Sequence, residues 1–198
     1  MFSESEIAVI NESTEVQEIV EKLKKSFLEQ EAKYFEISSH DFLSLIMMST
    51  AVGKAMANNN ISFGEEMSLQ KKARKLSKGG FFLSKDPVAD GMKYLIKNFP
   101  NWEQKFYQAI YDIFDVLFTK EEILIANNEA LSYEQRIMKA PYLMVRFLSS
   151  LFLEREEDIL SPGKIRKIEF DKISVIGEKI GFSKLHMFEE FLQRYEIK

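Results

Sequence analysis

The 198-residue chain contains no cysteine. Disulfides, thiolate zinc sites, iron–sulfur clusters and cysteine nucleophiles are excluded together. A thiol-free chain fits a reducing compartment. Histidine occurs only as His40 and His186. Prolines number four and glycines eight, and most stand where periodic segments begin or end, the punctuation of a helical protein. The longest apolar stretches, such as Phe42 to Met48, fall far short of the ~20 residues that cross a bilayer. The opening Met1-Phe2-Ser3-Glu4-Ser5-Glu6 lacks the basic region and apolar core of a signal peptide. The expectation is a cytoplasmic protein that does not span a membrane.

Familiar catalytic constellations are missing as well. There is no Gly-x-Ser-x-Gly elbow, no His-Glu-x-x-His and no phosphate loop. Gly79-Gly80-Phe81-Phe82 is not a nucleotide loop, because the lysine and hydroxyl pattern does not follow it. These absences point away from an enzyme. The two histidines stand near expected helix starts and read as surface or capping residues.

What is present is apolar and aromatic. Seventeen phenylalanines, with 45% hydrophobic and 29% charged residues, describe a globular chain with a strongly driven core. A net charge of −4 argues against nucleic acid or an anionic membrane as partner of the whole surface.

Apolar residues recur at helical spacing, and no strand-like alternation lasts beyond a few residues. About nine helices are expected. Caps mark several starts: Thr14 with Gln17, Ser62 with Glu65, Asp86 before Pro87, Thr119 with Glu122, and Ser132 with Gln135. Pro100 is expected to end one helix before the next carries Trp102, Phe106 and Phe114, and Pro141 to kink or divide another. Ser161-Pro162 is read as a further helix start and Gly181 as its C-terminal cap. The core set comprises Phe42, Ile46, Phe106, Phe114, Phe147, Leu151, Ile176 and Phe188. The fold expected is a single all-α bundle over residues 13–198, preceded by a flexible N-terminus at 1–12.

Two stretches share an organisation, a hydrophobic helix leading into a polar corner and a serine-capped start. The corners are Asn60-Ile61-Ser62-Phe63-Gly64 and Ile159-Leu160-Ser161-Pro162-Gly163, about 100 residues apart, and such an echo is expected of two pseudo-repeated helical hairpins. The run Ala57 to Glu65 resembles the helix–corner–helix motif of the tellurite-resistance TerB-like proteins, Ala-Asp-Gly-x-Ile-Ser-x-x-Glu. Ala57, Ile61, Ser62 and Glu65 match, while Asn58 and Asn59 replace the aspartate and glycine. At the second corner Glu157 takes the aspartate position and Leu160 and Ser161 agree, but Lys164 replaces the final glutamate. The resemblance implies an all-helical, non-enzymatic, stress-associated module acting through protein interaction, with a protein partner or a second copy of itself.

The resemblance also implies a divalent metal at the acidic corners, for which Asn58, Glu65, Glu66, Glu157 and Asp158 are the candidate ligands. A hard cation needs several oxygen ligands with carboxylate charge. No other cofactor is expected. The residues themselves offer a competing account: Glu65 is the far half of a capping box, and the acids around Glu157 form a solvated corner. A second candidate is an anionic-partner patch, Lys71, Lys72, Arg74, Lys75 and Lys78, which also complements a helix C-terminus. The alternative functions are an apolar-ligand or lipid-binding protein with a pocket in the phenylalanine core, and a divalent-metal-dependent protein.

Overall fold

Helices follow one another along nearly the whole chain in a computed structural model that describes residues 2–58, 60–78, 86–153 and 157–198. Residues 2–113 and 114–198 form two compact units. The first holds α1 (Glu4–Ile10), α2 (Thr14–Glu31), α3 (Ser39–Ala55), a single 3-10 turn (Met56–Asn58), α4 (Phe63–Arg74) and most of α5 (Pro87–Leu117). The second follows the end of α5 with α6 (Lys120–Ala126), α7 (Tyr133–Lys139), α8 (Tyr142–Phe152), β1 (Lys164–Ile165), α9 (Lys167–Lys179), a 3-10 turn (Phe182–Lys184), α10 (His186–Gln193) and β2 (Glu196–Ile197). The all-α expectation holds. The only described strands are two residues each, paired in parallel with Lys164 opposite Glu196 and Ile165 opposite Ile197. No described helix is long and apolar enough to cross a membrane.

Local chemistry sets most of the starts. Ser62, Thr119 and Ser132 each accept from the backbone three residues on, and Glu65, Glu122 and Gln135 reach back to close capping boxes. The Asp86 carboxylate accepts from Val88 N at 2.9 Å and Ala89 N at 3.0 Å, opening α5. Pro141 divides α7 from α8, with Ala140 extended before it. Gly181 takes φ 80 after α9, the left-handed turn that glycine adopts without a Cβ clash. Gly177 is required for a different reason: a methyl there would run into the Phe188 ring.

Four expectations need correction. The segment read as a flexible N-terminus contains α1, closed by a Ser3–Glu6 capping box and anchored by buried Phe2, Ile7 and Ile10. The cap of α2 is Ser13, which accepts from Val16 N, one residue before the expected Thr14. Pro100 lies inside α5 and does not end it. Proline removes one helical hydrogen bond, but the buried stripe Val88, Met92, Leu95, Phe99, Trp102, Phe106, Ile110 and Ile113 keeps its three-and-four spacing across it, so packing holds the helix continuous. Ser161-Pro162 does not start a helix. Lys164–Ile165 is drawn into pairing with Glu196–Ile197, and α9 begins only at Lys167.

Each unit has its own aromatic centre. In residues 2–113, Phe27 of α2 meets Phe42 of α3 and Trp102 and Phe106 of α5 at ring-centroid distances of 5.9, 5.0 and 5.5 Å. Trp102 Nε1 donates to Glu31 Oε1 at 2.7 Å. In residues 114–198, Phe114 meets Phe118, Phe147 and Phe182 at 4.6, 5.8 and 4.9 Å, and Phe152 meets Phe188 at 5.2 Å. All eight core residues expected from the sequence are buried.

Candidate functional site: the outward face of α4

Helix α4 is amphipathic in an uneven way. Its inner stripe is short: Leu69 and Ala73 are buried, and Leu76 just beyond the helix continues it. At about 100° per residue, Phe63, Met67, Lys71 and Arg74 fall within roughly 80° of one another, on the side opposite that stripe. Phe63 is 79% exposed and Met67 51% exposed. Gly64 and Ser68 flank them, also exposed, and a Cβ on Gly64 would meet open space. With Gln70, Met67, Lys71 and Arg74 they line an open depression on this face.

Of the basic candidates, Lys71 and Arg74 line this face. Lys71, Lys72 and Arg74 occupy the last turn of α4, where cations complement the carbonyl end of the helix. Lys71, Arg74, Lys75 and Lys78 are exposed, and among the described residues none of their side chains is held in an ion pair. Residues 71–78 carry five cations and no carboxylate in a chain whose net charge is −4. Phe63 and Met67 were not singled out from the sequence. Their signal was readable, since they stand off the Leu69–Ala73–Leu76 register.

The acidic candidates behave differently. Asn58 Oδ1 accepts from Asn60 N at 3.3 Å. Glu65 Oε2 accepts from Ser62 N at 2.8 Å and Ser62 Oγ at 2.7 Å, closing the cap. Glu66 Oε1 accepts from Gln70 Nε2 at 3.0 Å. In the other unit Asp158 Oδ1 accepts from Leu160 N at 3.0 Å, while Glu157 lies against Gly163. Asn58, Glu65 and Glu66 thus belong to one unit and Glu157 and Asp158 to the other. Among the described residues no three His, Asp or Glu side chains are arranged to hold a metal ion. Asn59, Glu154, Glu156 and the Gly79-Gly80-Phe81-Phe82 segment lie outside the described residues.

Two buried polar clusters were not legible in the sequence. His40, expected at the surface, is 7% exposed. Its Nδ1 lies 3.4 Å from Asp41 Oδ1, and its Nε2 lies 3.4 Å from Glu4 Oε1, at ion-pair distance but without hydrogen-bond geometry. Asp41 is engaged further, by the Ser38 hydroxyl at 2.9 Å and Lys78 N at 3.3 Å. The second cluster surrounds Arg136 of α7, 1% exposed. Its Nε donates to Glu190 Oε2 at 3.1 Å and its NH1 to Asn128 O at 2.6 Å, while NH2 also pairs with Glu190. Nearby, Tyr133 OH donates to Ile159 O at 2.9 Å, and burial pushes the Tyr133 hydroxyl well above the usual phenol range. Arg194 stacks over Tyr133 and pairs with Glu134 at 2.6 Å. His186, half-exposed, donates through its backbone N to Asn127 Oδ1 at 2.9 Å. Through its pairing with Glu190, Arg136 ties α7 and α10 together.

The outward face of α4 therefore differs from both clusters: its charges and its apolar side chains meet solvent. No protein-family model, no curated protein and no solved structure matches this chain.

Proposed function

We propose that this protein is a non-catalytic binding module that docks an acidic partner on the outward face of α4. The supporting observation is the pairing of exposed, unpaired Lys71 and Arg74 with exposed Phe63 and Met67 on α4, with exposed, unpaired Lys75 and Lys78 just beyond its C-terminus. Uncompensated cations draw an anionic surface into encounter, and neighbouring apolar area supplies the attraction that salt does not screen. The TerB-like match at Ala57, Ile61, Ser62 and Glu65 adds a proposed kinship with stress-associated helical modules. Capping chemistry alone accounts for Ser62 and Glu65, so support for the reading comes from the helix face and not from the corner.

The test is binding of fluorescein-labelled polyglutamate to the full chain, followed by anisotropy. Saturable binding that weakens with salt is expected, reduced by about tenfold in Lys71→Glu/Arg74→Glu and unchanged in Lys97→Glu, an exposed charge reversal off the face. Equal affinity in all three proteins would end the proposal.

A further inference from the structure

Resting on that reading, we infer that the partner is an acidic amphipathic helix of another protein, seated lengthwise along α4. The exposed residues follow a helix-packing frame. Phe63, Met67, Gln70 or Lys71, and Arg74 stand at i, i+4, i+7 or i+8, and i+11, the ridge that a second helix meets when it lies along the first. Gly64 and Ser68 run beside this ridge and carry almost no side chain, so the depression they line admits a side-chain row from a facing helix. A flat lipid surface would gain nothing from such a depression, and it would want more than two large apolar side chains.

The charge is graded along the axis. The end near Phe63 and Met67 is apolar and the end near Lys71, Arg74 and Lys75 is cationic, so the partner helix places its carboxylates against that second end. Glu65 closes the Ser62 cap and Glu66 holds Gln70, which leaves the face itself free of carboxylate. The area also selects the occupant. The face runs along one twelve-residue helix, about 18 Å long, a single-helix patch rather than the ~800 Å² of accessible surface each partner contributes to a standard interface. A short linear segment fits this footprint, whereas a stable dimer of the chain would need additional surface. Apolar anchors at helical spacing with flanking charge are the recurring form of helix recognition.

Three probes separate the outcomes: a synthetic Leu/Glu amphipathic helical peptide, a scrambled peptide of the same composition, and phosphatidylcholine–phosphatidylserine vesicles. The amphipathic peptide is expected to bind at least about tenfold more tightly than the scrambled one. Both Phe63→Ser/Met67→Ser and Lys71→Glu/Arg74→Glu should remove that preference, with circular dichroism and Trp102 emission unchanged. Equal binding of the two peptides would overturn the helical partner yet leave an acid-binding face standing. Failure of both peptides and of polyglutamate would overturn the face itself. Vesicle binding without peptide binding would overturn the protein partner. Concentration-dependent dimerisation abolished by Phe63→Ser/Met67→Ser would overturn it in favour of a second copy.

Discussion

Helices α3 and α4 are consecutive in the chain and meet opposite fates. Every residue of α3 from His40 to Thr50 is buried, with no exposed side in that run. Its polar groups find buried acceptors: Ser49 Oγ donates to Ile46 O at 2.7 Å, and Ser44 Oγ donates to Leu76 O at 3.2 Å. Helix α4 buries only Leu69 and Ala73. A helix that is apolar all round becomes core, while one with a narrow inner stripe leaves the rest of its surface available for recognition. The difference lies in what each helix does with its large apolar side chains. Phe42 is inaccessible and Phe63 is 79% exposed.

That contrast can be broken most directly by truncation. Phe42→Ala should cost ~3–5 kcal/mol, and Phe63→Ala should stay within ~0.5 kcal/mol, both read from urea unfolding of Trp102 emission. A large loss for Phe63→Ala would mean that α4 is packed after all. Smaller effects come at the corner between the helices. Ser62→Ala should cost ~0.5–2 kcal/mol through the lost cap, identically with and without Ca²⁺ or Mg²⁺. Glu65→Gln should be close to neutral, since glutamine still reaches back to the Ser62 N–H. A calcium-dependent rise in Tm that Glu65→Gln abolishes would instead place a metal at this corner.

Ser44→Ala tests the attachment of α4 to α3 and should cost about 1 kcal/mol, because the hydroxyl serves the Leu76 carbonyl just beyond α4. The smallest effect is acid-dependent and belongs to the α3 side alone. Glu21 is held below the usual carboxylate range, first by its hydrogen bond from Lys24 and then by that from Ser39 at the start of α3. A carboxyl whose folded pKa is depressed stabilises the fold above its unfolded pKa and loses that contribution as pH falls through the folded value. Glu21→Gln should therefore flatten the acid side of the stability profile slightly, while amide exchange in α4 keeps its pH dependence.

The legible parts of this chain are those set by neighbours in sequence. Ser62, Asp86, Thr119 and Ser132 announced helix starts because a cap is a contact over two or three residues. The Ser3–Glu6 box had the same spacing, but a helix of seven residues gives too little periodicity to stand out. Other features depended on distant partners. Lys164–Ile165 left the helical pattern for a pairing with Glu196–Ile197, about thirty residues on, and Pro100 stayed helical because Phe27 and its neighbours pack on the face around it. At the site, the cations were evident as composition. The Leu69–Ala73–Leu76 register also marked the outward side of α4, but the extent of exposure of Phe63 and Met67 depends on what packs against the helix.

Arg136 carries a consequence for the order in which the chain is made. Its guanidinium is enclosed within residues 114–198, and its carboxylate partner is Glu190. During synthesis the ribosome delivers the cation more than fifty residues before the anion. A nascent chain that has not reached Glu190 would confront a buried charge without its counterion, a penalty of ~3–5 kcal/mol on the scale of broken internal ion pairs. Residues 114–198 should accordingly remain uncommitted until α10 emerges, whereas residues 2–113 already hold the rings that surround Phe27. The contact between Arg136 and Glu190 is therefore expected to form late, once α10 has been made.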